Sequence, residues 1–187
     1  LRRDSSTKFG PGNKVGYFPS FTAGWIISDE GFFGDAKLVN FMKLRASYGT
    51  LGNDQIGNNG YVSQLNGEAT YVFDGALING TATGQIPNPS LKWEQSQKTD
   101  IGLDLKLFDS KVSIVTDYFT DTRKDLLIRD IPVSGIVGSY APGGALPTAN
   151  AGTVKNSGVE FSIDYKDNLS DDFSISIGYN VTFLKNK

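Results

Sequence analysis

The segment FSISIGYNVTF, residues 173–183, alternates between apolar and polar side chains without a fault. Its odd-numbered positions are all apolar or aromatic, whereas its even-numbered positions hold only Ser, Gly, Asn and Thr. A period of two indicates a β-strand whose two faces meet different surroundings. The run matches the roughly 9–11 residues of a tilted membrane-spanning strand and exceeds the roughly five or six that are usual in water-soluble sheets.

Five upstream segments repeat this alternation less perfectly. Phe18 and Ile26 interrupt the first of them, and Val115 and Phe119 fall on the wrong face of the fourth. Pro19 cannot donate a hydrogen bond to a sheet, so we interpret it as a kink or bulge within the first strand. The sequence predicts an all-β fold, an antiparallel meander of about six or seven strands. The predicted strands lie within 17–27, 43–48, 101–107, 112–118, 158–165 and 173–183.

The composition excludes several classes of function. The chain has no Cys and no His, which removes disulfides, thiolate nucleophiles and the commonest general base and metal ligand. Its net charge of −2 lacks the basic bias of a nucleic-acid-binding protein, and no apolar stretch is long enough for a membrane-spanning helix. We predict no enzyme, no cofactor, no metal site and no nucleic-acid partner.

The connections between the strands alternate in length. Tight connections alternate with long segments at 50–91 and 122–156, which are rich in Gly, Asn, Pro and Thr. Outer-membrane barrels combine short periplasmic turns with long extracellular loops. We therefore expect the connections 28–42, 108–111 and 166–172 in the periplasm and the two long segments outside the cell.

Five stretches of sequence carry a resemblance to a known family. They read KFGPGNKVGYFPSFTAGWIISDEGFF (8–33), NFMKLRASYGTLGND (40–54), NPSLKWEQSQKTDIGLDLKLFDSKVSIVTDYFTDTRKDLLI (88–128), NAGTVKNSGVEFSIDYK (150–166) and FSISIGYNVTFLKNK (173–187). Together they resemble, in content and in order, the barrel region of the SusC/RagA family of TonB-linked outer-membrane proteins.

The resemblance implies a bacterial outer-membrane barrel of about 22 strands with an N-terminal plug. Such a transporter is energised by TonB and imports glycans or peptides, usually beneath a SusD-like surface lipoprotein. Residues 1–187 would be a partial barrel domain, with the plug and the TonB-contacting segment elsewhere in a longer polypeptide. Outer-membrane lipid would meet the apolar face, which we assign to Ile101, Leu103, Leu105, Phe161, Ile163, Ile175, Ile177 and Val181.

Four aromatic residues in the long segments are the predicted ligand contacts. Aromatic rings stack on sugar rings or cover a partner protein, but they also pack a loop against its neighbours. The resemblance assigns no role to single residues here, because these loops vary within the family. The four residues are Tyr61, Tyr71, Phe73 and Tyr140.

Two alternatives come from other classes of protein. A soluble β-sandwich that binds carbohydrate would also alternate, with its apolar face turned to a core. A glycosidase would need a pair of carboxylates, and the polar face offers Asp100, Asp104, Glu160 and Asp164. The simpler interpretation of these charges is an aqueous lumen that Lys43, Arg45 and Lys106 help to balance.

Overall fold

The computed structural model describes residues 1–34, 38–65, 67–137 and 144–187, which divide into two compact units. We call Leu1–Phe18, Leu51–Gln95 and Arg123–Thr153 the loop unit. We call Pro19–Thr50, Ser96–Thr122 and Val154–Lys187 the sheet unit. No helix in the described ranges is long and apolar enough to span a membrane.

The described residues are dominated by strands, with two short 3-10 turns at Ile27–Asp29 and Gly135–Val137. The strands are β1 (Arg2–Ser5), β2 (Val15–Phe18), β3 (Ser20–Ile26), β4 (Val39–Asn53), β5 (Gly67–Phe73), β6 (Ala76–Ala82), β7 (Glu94–Leu107), β8 (Val112–Lys124), β9 (Leu127–Ile128), β10 (Ala149–Asn150), β11 (Thr153–Ser170) and β12 (Phe173–Asn186).

Six strands form one sheet in the order β12-β11-β8-β7-β4-β3, so the predicted all-β antiparallel meander is confirmed. The pairing registers keep each face uniform. In the β3–β4 pair Trp25 lies opposite Leu44, and in the β11–β12 pair Phe161 lies opposite Val181 while Glu160 lies opposite Thr182. Because a register slip of one residue would exchange the faces, the alternation itself fixes these registers.

The predicted polar loop at 166–172 is wrong for most of its length. Strand β11 continues to Ser170 and β12 begins at Phe173, which leaves only a two-residue turn. Lys166 lies opposite Ser176, and its N–H also donates to the Lys111 carbonyl at 2.8 Å. Polar composition suggested a loop, but polar side chains at the rim of a sheet are solvated without disturbing its backbone pairing.

The prediction of one kinked strand over 17–27 is also wrong. Strand β2 ends at Phe18 and pairs with β1, whereas β3 begins at Ser20 and pairs with β4. Pro19 stands between them, and its carbonyl accepts hydrogen bonds from the Thr50 N–H at 2.9 Å and the Thr50 hydroxyl at 3.3 Å. Since Pro19 has no N–H of its own, the ladder is interrupted at the only residue that cannot continue it.

A small aromatic core holds the loop unit together. Phe18, which broke the sequence pattern, is only 3% exposed because it belongs to this core and not to the sheet. Its ring meets Trp93 edge-on with centroids 5.5 Å apart, and Phe9 lies 5.2 Å from the same indole. Ile56 and Leu91 complete the cluster.

Asparagine side chains tie the long connections of the loop unit to each other. The Asn150 amide donates to the carbonyls of Lys92 at 2.8 Å and Asp125 at 2.9 Å, and its oxygen accepts the Lys92 N–H. Asn88 donates to the Thr148 carbonyl at 2.9 Å. Side-chain hydrogen bonds therefore connect the two segments that were predicted to be long loops, and the first of these segments also contains the β5–β6 hairpin.

Candidate functional site

The apolar face of the six-stranded sheet is exposed. Ile177 on the edge strand β12 is 59% exposed, and two further predicted lipid-facing residues, Leu103 and Phe161, are half-buried. A β-sandwich would bury this face in a dry interior. The buried apolar side chains of the described residues all belong to the loop-unit core instead. Other exposed members of the apolar face are Phe21, Trp25, Leu44, Tyr48, Ile101, Val159, Phe173, Tyr179 and Phe183.

Charges on the apolar face lie only near the ends of its strands. On β11 the positions of this face carry Lys155 and Asp167 at the two ends and no charge between them. Twelve positions separate the two residues, which at about 3.3 Å per residue corresponds to roughly 40 Å along the strand. A tilt near 45° reduces that to roughly 28 Å across a bilayer, close to the apolar band of about 25 Å seen on outer-membrane barrels.

Polar and aromatic contacts mark the end of the sheet where the short turns lie. The Trp25 indole N–H donates to Glu30 at 2.8 Å. The Lys111 ammonium contacts both carboxylate oxygens of Asp167 at 2.9 Å, and this hydrogen bond raises the pKa of Lys111. The Tyr165 hydroxyl donates to the same carboxylate at 3.0 Å. An aromatic ring with a polar tip suits a membrane–water boundary.

The opposite face holds an ion-pair cluster across three strands, which we call the Arg45 cluster. Arg45 Nε on β4 donates to both oxygens of Asp104 on β7, at 2.9 and 3.0 Å. Arg45 Nη2 donates to Asp117 Oδ1 on β8 at 2.8 Å. One guanidinium thus neutralises two partly buried carboxylates, a task suited to its planar, many-donor head group.

Gly102 makes room for the Arg45 cluster. A Cβ at this position would overlap Asp117 Oδ1 and would lie 2.6 Å from Arg45 Nη2. Any side chain at position 102 would therefore push the two ions apart. Glycine is needed here because the side chains of Arg45 and Asp117 occupy the space above its Cα, and not because the backbone has a positive φ.

The other predicted carboxylates of this face are dispersed. Asp164 accepts a hydrogen bond from the Ser162 hydroxyl at 3.3 Å. Asp100 borders an open depression of 330 Å³ that is also lined by Thr22, Lys43 and Ser47. Glu160 borders a separate depression on β8, β11 and β12. Of the predicted cations, Arg45 forms an ion pair with Asp104. The Lys106 ammonium lies 5.7 Å from the centroid of the Phe41 ring.

Sequence reasoning missed two acidic residues of β8. Asp117 completes the Arg45 cluster, and Asp121 accepts a hydrogen bond from the Ser96 hydroxyl at 2.6 Å with Lys98 3.9 Å away. Both share their strand face with Phe119, which had made this segment look irregular. The signal was present, because Asp117 and Asp121 occupy odd positions of β8, on the face opposite its apolar even positions.

The predicted ligand-contact residues lie in different surroundings. Tyr61 lies beside Gly10, where an added Cβ would be 3.3 Å from its ring. Tyr71 and Phe73 lie on β5 and are exposed. Tyr140 lies outside the described residues. The prediction that they contact a ligand stays a prediction.

Known proteins similar to this chain point to one family. Residues 1–187 match the family described as TonB dependent receptor-like, beta-barrel. TonB-dependent receptor P3 of Formosa agariphila is 35% identical over 187 residues, which cover 100% of this chain and 18% of that protein. TonB-dependent receptor SusC of Bacteroides thetaiotaomicron is 32% identical over 192 residues, with the same two coverages.

Solved structures agree with the sequence comparison. The RagAB peptide importer in the "open-open" state has a TM-score of 0.81 and 27% identity over 98% of this chain and 19% of that chain. The siderophore receptor PirA from Pseudomonas aeruginosa, with a TM-score of 0.51 and 15% identity, shares the fold alone. The chain spans about a fifth of the length of the curated relatives and of the RagAB chain.

We expect Arg45→Met to destabilise the folded protein by roughly 1–3 kcal/mol, because it leaves Asp104 and Asp117 partly buried and uncompensated. Lys43→Met is the matched control, since Lys43 lies on the same face of β4 and makes no ion pair among the described residues. The measurement is the temperature at which the full-length protein loses its compact band on an unboiled gel. An equal fall for both variants would contradict a structural role for the cluster.

Proposed function

Because the chain belongs to the TonB dependent receptor-like β-barrel family, we propose that it is a segment of the barrel wall of a TonB-dependent transporter. Its place is the bacterial outer membrane. The transporter imports glycans or peptides together with a SusD-like surface lipoprotein. Residues 1–187 form a partial barrel domain, and the plug and the segment that contacts TonB belong to other parts of the polypeptide.

The observation that carries this proposal is the contrast between the two faces of one sheet. The apolar face is exposed and free of charge across a band as deep as the hydrocarbon of an outer membrane. The other face carries paired charges and polar side chains, as a water-filled or plugged lumen requires. Neither face is suited to the other's surroundings.

The sidedness of the strands gives the wall a direction. The turns at 108–111 and 171–172 and the connection between β3 and β4 leave the sheet at the same strand ends. We assign these to the periplasm. The long connections between β4 and β7 and between β8 and β11 leave at the other strand ends, and we assign them to the cell exterior, where cargo and lipoprotein arrive.

The cargo and the partner are inferred from relatives. The RagAB proteins are described as a peptide transporter and importer, which supports a peptide cargo. Similarity to SusC supports a SusD-like partner. The polar lumen face, with Asp100 and Lys43 beside an open depression, is compatible with hydrophilic cargo of either kind.

The proposed role is passage and not catalysis. Both oxygens of Asp104 accept hydrogen bonds from Arg45, so this carboxylate is engaged as a structural acceptor. Asp164 is likewise engaged by a neighbouring serine. These contacts make the carboxylates parts of the wall.

Val181→Arg should impair barrel assembly, because Val181 lies opposite Phe161, midway between Lys155 and Asp167, and a charge near the middle of the lipid-facing band costs about 2–4 kcal/mol. Asn180→Arg is the matched control, one residue away on the polar face. The measurement is the fraction of full-length receptor recovered in the outer membrane as a heat-modifiable barrel. Equal recovery of the two variants would contradict the assignment of the apolar face to lipid.

Import is tested by uptake of labelled oligosaccharides and labelled peptides into cells that carry the full-length receptor. We expect uptake of one cargo class, and its loss when TonB is deleted although the receptor remains in the membrane. A parallel strain that lacks the receptor controls for passive entry. Uptake that continues at the same rate without TonB would contradict the proposed mechanism.

A further inference from the structure

Three segments of the loop unit meet at one side chain, that of Asn150. The first segment, residues 88–93, precedes β7. The other two, residues 125–128 and 148–151, are the two ends of the connection between β8 and β11. We call these three ranges the junction segments. The hydrogen-bond partners of Asn150 in the other two segments are 58 and 25 residues away along the chain, so only the fold brings them together.

The Asn150 carboxamide bonds to backbone at both of its ends. Its nitrogen donates to the carbonyls of Lys92 at 2.8 Å and Asp125 at 2.9 Å, and its oxygen accepts the Lys92 N–H at 2.9 Å. A carboxamide has two N–H donors, so both are in use. The two bonds exchanged with Lys92 follow the pattern that a paired residue makes across an antiparallel ladder. The side chain thus supplies the kind of link that backbone pairing supplies elsewhere in the fold, and we call its three hydrogen bonds the Asn150 junction.

Two neighbouring contacts each join only two of the junction segments. The Ala151 N–H donates to the Leu126 carbonyl at 2.8 Å, and the Lys92 ammonium lies 3.0 Å from the Asp125 carboxylate. Both charged side chains are more than a third exposed, so water screens this ion pair and it contributes little to stability. Asn150, in contrast, is half-buried and bonds to both of the other segments.

We propose that the Asn150 junction makes the three junction segments open and close together. Folded proteins open locally in contiguous cooperative units, and hydrogen bonds that share one side chain are lost together. Because coupling between two sites is reciprocal, a contact that stabilises the connection between β6 and β7 also stabilises the connection between β8 and β11. The inference concerns neither cargo nor partner, so its failure leaves the proposed function standing.

The test is hydrogen–deuterium exchange of the purified full-length receptor, measured by mass spectrometry on peptides from the junction segments. Asn150→Asp keeps the oxygen that accepts the Lys92 N–H but replaces both donors with an oxygen that faces two carbonyls. We expect exchange in residues 88–93 and 125–128 to accelerate by the same factor, roughly tenfold or more, because two hydrogen bonds are lost and two carbonyls are left facing a carboxylate. Exchange in β12 should stay at the wild-type rate.

Asn53→Asp is the matched control, because it makes the same substitution in the same unit and keeps the oxygen that accepts the Gln55 N–H at 3.1 Å. It should change exchange in the junction segments less than about twofold. Asn150→Ala removes all three hydrogen bonds without adding a charge and should accelerate the same segments as Asn150→Asp. If the aspartate variant does not assemble, the alanine variant decides by the same criteria.

Acceleration confined to residues 148–151, or to these and only one of the other segments, would show that the segments open separately and would overturn the proposal. Equal acceleration by the control, or in β12, would overturn it as well, because the effect would then belong to added charge or to the whole fold. Failure of both Asn150 variants to assemble has the same consequence. Unchanged exchange in all three segments would assign their connection to the loop-unit core, against which Leu127 packs, and not to Asn150.

Discussion

The strand pairing and the side-chain pattern of this sheet depend on one constraint. A strand in a bilayer must satisfy all its backbone hydrogen bonds while one of its faces contacts hydrocarbon and the other contacts water. Hydrocarbon offers no hydrogen bonds, so the antiparallel ladder has to satisfy the peptide groups. Strict alternation then sorts side chains by face, so Ile177 lies on the exposed apolar face and Ser176 on the polar face. The Arg45 cluster follows from the same constraint. Charged side chains are confined to the polar face, where Arg45 balances the carboxylates of Asp104 and Asp117.

A second feature, the division at Pro19, separates two kinds of packing. On one side of the proline, Phe18 is buried with Trp93 in the small core of the loop unit. On the other, Phe21 stands exposed on the apolar face of the sheet. Gly16 and Gly52 leave space for the Phe18 ring, since a Cβ on either would lie within 3 Å of it. Two aromatic residues three positions apart, Phe18 and Phe21, therefore lie in a buried core and on an exposed apolar face respectively.

The two-residue period of the sequence predicts the features that alternation controls, but it does not predict which distant residues come into contact. Strand existence, face assignment and the family followed from alternation and resemblance. The partners of Arg45 did not, because Asp104 and Asp117 lie 59 and 72 residues away and only the strand order brings them together. The polar stretch 166–172 looked like a loop because composition cannot distinguish a solvated strand end from a turn. The break at Pro19 was interpreted as a kink because the sequence did not show that Phe18 belongs to a separate core.

The most direct test places single cysteines along β12 of the full-length receptor and attaches a nitroxide to each, which the absence of Cys from these 187 residues makes practical. Collisions with oxygen report lipid, and collisions with a water-soluble nickel complex report the lumen. In bilayers the account predicts that oxygen access peaks at odd positions from 173 to 183 and nickel access at the even ones. Odd positions shielded from both reagents, as in a closed dry interior, would contradict it.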